Sequence, residues 1–198
     1  NQITILRRYR RNHNSVSLQE SIEAMVKLLP VIEKVSNKEE LLGHEGLSAR
    51  HYFKGLGEVV DTDFSFSGRN RQPPRDRFNS MLSFAYTLLM YDVYTAVVNK
   101  GLNPYAGFLH SIRRGHPALC SDLMEEWRAV LADSLVLSLA NKAVIQRTDF
   151  SKPDEDGGVY LNADASKIFI AEYEKKIRQK SQYLNYVDYS VSFRRGIE

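Results

Sequence analysis

Residues 76–101 read DRFNSMLSFAYTLLMYDVYTAVVNKG. Asp76 is placed to cap a helix at its start, and Lys100-Gly101 supplies the expected stop. Between them MLSFAYTLLMYDVYTAVV (81–98) is apolar for long enough to cross a bilayer. Asp92, the tyrosines and the Asp76 cap point instead to a long central helix of a soluble protein, buried on nearly all sides. A chain organised around such a helix is mainly α.

Helical signals continue outward from it. Upstream, the spacing predicts helices over residues 2–12, over Ser17 to Val35 with a kink at Pro30, and over Lys38 to Val60. Downstream, Pro117 suits the first turn of a helix ending near Asn141. RTDF (147–150), KPDEDGG (152–158) and VYL (159–161) read as a small β-hairpin with an acidic turn. An amphipathic helix follows from Ala163 to Lys180, and VSFRRGIE (191–198) has the look of a further helix cut short. The expected fold is an irregular helical bundle with one small β-hairpin, a single domain over residues 1–198.

Composition is that of a soluble globular protein: 198 residues, 43% hydrophobic and 26% charged. The net charge of +3 is too small to announce nucleic-acid binding, but its distribution says more. Arg7, Arg8, Arg10 and Arg11 cluster near the start. Arg69, Arg71, Arg75 and Arg77 crowd a loop around Pro73-Pro74, and Arg113 and Arg114 follow His110. Clusters of this kind are either solvated surface or contacts to a phosphate backbone, and phosphate contact is favoured for the two groups beside candidate site residues. The single Cys120 excludes an internal disulfide and suits a reducing, cytoplasmic compartment.

Three residues carry the candidate chemistry: Glu45 in LLGHEGLSARHYF, His110 in GLNPYAGFLH and Glu125 in SDLMEEWR. At about 100° per residue, Leu42, Ala49, Phe53 and Leu56 share one arc with Glu45 inside it. A carboxylate facing inward has to be paired, protonated or metal-bound. Around Glu125, the residues Cys120, Leu123, Met124, Trp127, Val130, Leu131 and Ser134 form the main apolar face. Asp122 and Glu125 point together off the opposite side with Ala118, Ala129 and Val136, a small face that suits a cleft wall. Two carboxylates and an imidazole could hold one divalent cation. Each also has a plainer use: Arg50, Arg69 and Arg71 could pair a buried glutamate, a histidine near a Gly-Pro loop often only packs, and a D-x-x-E pair on a helix is usually a solvated face. Asn79 and Ser83 could position the arginine loop, and Tyr52, Tyr86, Tyr91 and Tyr94 read as core packing.

EGLSARHYF (45–53), GRNRQPPRDRFNSMLSFAYTLL (68–89), GLNPYAGFLH (101–110), DLMEEWR (122–128) and, more weakly, GGVYLNADASKIFIAEYEKK (157–176) resemble, in order, the C-terminal helical domain of the CRISPR adaptation integrase family. The resemblance implies the catalytic lobe of that fold, without the family's N-terminal β-rich dimerisation domain. It places the metal ligands on Glu45, His110 and Glu125 and a supporting acid on Asp122. Two departures are mild: position 125 is aspartate in some branches, and Ala129 stands where many members carry proline.

The resemblance further implies a metal-dependent DNA endonuclease and integrase of spacer acquisition. Its cofactor would be Mn²⁺ or Mg²⁺, with the imidazole favouring Mn²⁺. The implied partners are DNA (a protospacer duplex and a CRISPR repeat), a second copy in the full-length protein, and a small ferredoxin-like adaptation protein, with no membrane. Joining a DNA 3′-hydroxyl to a target-strand phosphodiester is the implied reaction. The rival expectation is a non-catalytic helical DNA-binding or assembly module of the same fold. A di-metal oxidase is disfavoured, since paired Glu-x-x-His motifs are missing.

Overall fold

A computed structural model describes residues 1–64, 66–181 and 190–198. Its first three helices are α1 (Gln2–Arg10), α2 (Val16–Ile32) and α3 (Lys38–Gly57). Ser15 caps α2 by accepting the Leu18 N–H at 3.2 Å, and Asn37 caps α3 by accepting that of Glu40 at 2.8 Å. Pro30 is accommodated in the last turn of α2, which ends two residues later at Ile32. The three helices pack tightly: a Cβ at Gly55 would meet Leu6 Cδ1 at 3.0 Å and Ser21 Cβ at 3.1 Å.

The helix foreseen from residues 76–101 is α4 (Arg77–Asn99), and Asp76 Oδ1 accepts the Asn79 N–H at 2.8 Å. It is not buried on nearly all sides. Phe78, Met81, Leu82, Ala85, Leu89 and Val93 form a buried stripe, whereas Tyr91 is 67% exposed and Val98 47%. α5 (Ala118–Trp127), α6 (Ser134–Asn141) and α8 (Phe193–Ile197) pack against this helix, and at about 100° per residue Tyr91 and Val98 fall opposite the stripe. By length and composition α4 remains the one helix among the described residues apolar enough to span a membrane.

Between α5 and α6 the chain forms a π-helical turn, Arg128–Asp133. The expected single helix from Pro117 to Asn141 is therefore interrupted. Pro117 itself stands at the N-cap of α5 rather than within its first turn. The extra π residue shifts the helix face beyond it, so the apolar stripe inferred at uniform spacing does not continue through α6. Leu123, assigned to the core, is 45% exposed, while Ala118, Ala129 and Val136 are buried.

The hairpin at 147–161 is reduced to a single bridge, Phe150 to Leu161, with Ser151 N–H donating to the Tyr160 carbonyl at 2.8 Å. Asp154 closes its turn by accepting the Gly158 N–H at 2.6 Å. Val159 N–H donates at 2.8 Å to the Pro74 carbonyl, which turns this arm toward the arginine loop instead of into a longer ladder. The two-stranded pairing found among the described residues is elsewhere, β1 (Lys180–Ser181) against β2 (Val191–Ser192), antiparallel. α7 (Ala163–Arg178) precedes it, and α8 follows with Ser192 as its cap. One contiguous core runs from α1 to α8.

Candidate metal and DNA site

The best-defined part of the site is built on Asp122. Its carboxylate accepts the backbone N–H groups of Phe108 at 2.5 Å, Leu109 at 3.0 Å and His110 at 2.9 Å. Asp122 Oδ1 also lies 2.6 Å from His110 Nδ1. Burial alone pushes the Asp122 carboxyl up, but the bonds from the His110 ring and the three N–H groups outweigh it and hold the group below its ordinary range. One carboxylate thus fixes both the loop and the imidazole, which it engages through Nδ1. Only glycine fits at position 107 behind this loop: a Cβ there would lie 2.7 Å from Ala118 Cβ.

Glu45 and Glu125 line one cleft of about 610 Å³ between α3 and the start of the π turn. Leu41, Ala49 and Phe53 line it beside Glu45; of the arc inferred for α3, Ala49 and Phe53 reach this wall, while Leu42 is not among its lining residues and Leu56 is buried in the core. Burial raises the Glu125 carboxyl above its ordinary value; Arg128 opposes this and the Glu45 charge adds to it. The His110 charge acts on Glu125 as well, so the three residues share one electrostatic neighbourhood. Arg128 Nη1 forms an ion pair with Glu125 Oε1. Glu125 is therefore an ion-paired group on the cleft wall rather than part of a freely solvated helix face. Among the described residues, no three His, Cys, Asp or Glu side chains gather closely enough to hold an ion in this conformation.

Asp133 was not singled out by the sequence. Eight residues of regular helix would put it about 80° from Glu125; the π turn absorbs one residue and brings it within about 20°. It then faces the same cleft, 1% exposed, and accepts the hydroxyls of Tyr52 at 2.7 Å and Tyr86 at 2.6 Å. Burial pushes its carboxyl up to about 6, although both hydroxyls and the Arg128 and Arg69 charges work against the rise. The guanidinium carbons of Arg69 and Arg128 stand 5.3 Å and 5.2 Å from the Tyr86 ring centroid. Arg128 three residues after Glu125 was visible as an ion-pair spacing; Asp133 carried no signal, because a π turn cannot be read from periodicity.

The basic residues divide. Arg69 is half-buried and serves the protein's interior: its Nη1 donates to Asn79 Oδ1 at 2.8 Å and its Nη2 to Ser83 Oγ at 3.0 Å. Asn79 and Ser83 thus do position this loop, and burial lowers the Arg69 pKa. Arg71 is exposed on the cleft rim, Arg75 is exposed, and Arg77 is half-buried near the Asp63 carbonyl. Arg113 and Arg114 are exposed beside a turn closed by the Arg113–His116 bridge.

Solved structures define the class of this fold. A casposase bound to integration product superposes with a TM-score of 0.82 at 22% identity, covering 99% of this chain and 54% of that one. A chain of a Cas6-RT-Cas1–Cas2 complex gives 0.84 at 25% identity, covering 100% and 21%. The fold is thus the helical lobe that these proteins share. The chain belongs to the CRISPR associated protein Cas1 family, whose model matches residues 1–175. A similar relative is "CRISPR-associated endonuclease Cas1 3" of Thermus thermophilus, 41% identical over 164 residues, which are 83% of this chain and 49% of that protein. The chain therefore spans about half the length of that curated relative.

Proposed function

We propose that this chain is the catalytic helical lobe of a divalent-metal-dependent DNA endonuclease and integrase of CRISPR spacer acquisition. The observation that carries this is the Asp122-held His110 beside a cleft with Glu45 and Glu125 on its walls. Two carboxylates and an imidazole suit Mn²⁺ or Mg²⁺, and an ion held there would take the place of Arg128 on the Glu125 carboxylate. Glu45, His110 and Glu125 would hold the ion, which when bound supplies Lewis-acid stabilisation of phosphodiester charge.

The chain's own residues do the rest. Asp122 orients His110 and the loop that carries it. Arg71, Arg75, Arg77, Arg113 and Arg114 contact the DNA backbone; Arg69 orders the 69–79 loop from within. In the reaction a DNA 3′-oxygen forms a new P–O bond as the target strand's P–O3′ bond breaks, so positioning and charge stabilisation suffice. Water in the same place gives hydrolysis. The full-length protein would act with a second copy and a small ferredoxin-like partner on a protospacer duplex and a CRISPR repeat, in the cytoplasm. The Cas1–Cas2 assembly named for a structural neighbour supports the partner protein.

The Arg128–Glu125 ion pair favours a second reading, a non-catalytic DNA-binding or assembly module of the same fold. Strand transfer on branched DNA with Mn²⁺, using the full-length protein, separates the two. Loss of activity in Glu45→Ala, His110→Ala and Glu125→Ala, each folded, supports the catalytic lobe. Activity surviving these changes moves the chemistry elsewhere, and a folded, DNA-binding but silent wild type supports the module.

A further inference from the structure

The segment that carries His110 also carries two of the most exposed apolar side chains among the described residues: Phe108 is 84% exposed and Ile112 74%. Scattered exposed hydrophobics need no explanation, but these two lie within five residues of sequence. Leu109 between them lines the cleft, so the backbone turns one side chain inward and its neighbour Phe108 out. Phe108 is presented on a fixed backbone, because its own N–H donates to Asp122 Oδ2 at 2.5 Å. Beyond Ile112, Arg113 and Arg114 are exposed, and Gly115 at φ +74° turns the chain back to the Arg113–His116 bridge.

An aromatic ring, an aliphatic side chain and two guanidinium groups on one braced loop form a surface whose charge excludes a lipid interior and suits a polyanion with flat apolar faces. Nucleic acid has both: phosphates for the arginines and base faces for the ring. We propose that Phe108, flanked by Ile112, packs against a base exposed at the DNA junction next to the phosphate beside His110, and so positions that phosphate. Phe108 is a positioning residue, touching a base rather than the reacting atoms. The proposal rests on the DNA-joining function above, and its ligand is an unpaired or unstacked base rather than duplex backbone.

The test uses full-length protein, branched DNA carrying 2-aminopurine beside the junction, and the variants Phe108→Ala and Phe108→Trp. Fluorescence titration in EDTA reads base contact separately from chemistry; strand transfer with Mn²⁺ reads positioning. Wild type is expected to change the 2-aminopurine signal, Phe108→Ala to lose that change and slow transfer roughly tenfold, the order of one base–aromatic stack. Phe108→Trp restores both, and the thermal midpoint stays put because the ring is exposed. An unchanged fluorescence response in Phe108→Ala overturns the proposal. So does a Phe108→Ala protein whose only defect is a smaller oligomer in light scattering, which would place the ring in a protein interface. A wild type that binds no branched DNA overturns the DNA-joining function itself.

Discussion

Replacing Asp133 by asparagine removes a charge that burial disfavours. The carboxyl is 1% exposed and pushed up from 3.8 to about 6, so the folded protein holds a proton there more tightly than the unfolded chain. Stability linked to this group is highest when it is protonated in both states and falls as pH rises from about 4 to about 6. At about 1.4 kcal/mol per unit, a rise of roughly two units makes ionised Asp133 cost about 3 kcal/mol above pH 6. Asparagine keeps the shape and can still bond both tyrosines, since a hydroxyl can accept as well as donate. Urea unfolding of wild type and Asp133→Asn, in chelator from pH 4.5 to 7.5, isolates the effect because other titrating groups cancel in the difference. Wild type minus variant is expected to decline by about 2 kcal/mol across that window, mostly below pH 6.5, the remainder of the ~3 kcal/mol lying below pH 4.5. A flat difference, or one rising with pH, would refute the assignment of a burial-strained carboxylate at the centre of the Tyr52–Tyr86 pair.

Other substitutions probe the same framework. Gly107→Ala forces a Cβ to within 2.7 Å of Ala118 Cβ, and should cost about 1–3 kcal/mol in denaturant unfolding and displace the His110 loop. Asp122→Ala removes the acceptor for three backbone N–H groups, so the amides of Phe108, Leu109 and His110 should exchange much faster while α4 amides keep their protection. Asp76→Ala removes the α4 cap and its bonds to Asn70 and Asn79, with an expected loss of about 1–2 kcal/mol by chemical denaturation. Leu56→Ala empties a fully buried position between the first helices and should cost about 2–5 kcal/mol in the same assay.

The sequence by itself determined where the helices lie, apart from the break after Trp127, and that Glu45 shares a face of α3 with Ala49 and Phe53. Both follow from local chemistry: Asp76 and Asn37 act within three residues of themselves, and apolar spacing in α3 is regular. It also singled out Glu45, His110, Asp122 and Glu125, and Asn79 with Ser83 as anchors for the arginine loop. Only the tertiary structure decided how those groups are engaged. Asp133 joins the cleft because a π turn shifts its phase, and the energy of such a turn comes from packing that no local pattern records. Arg69 turns from an expected phosphate contact into an interior brace because Asn79, Ser83 and Tyr86 lie on one face of α4, across the loop from it. Asp122 lies 12 residues from His110 in sequence, and only the close fit of Gly107 against Ala118 lets its carboxylate hold that loop. Side-chain partners set by long-range approach are invisible to periodicity, which registers the face a residue occupies and not what waits opposite.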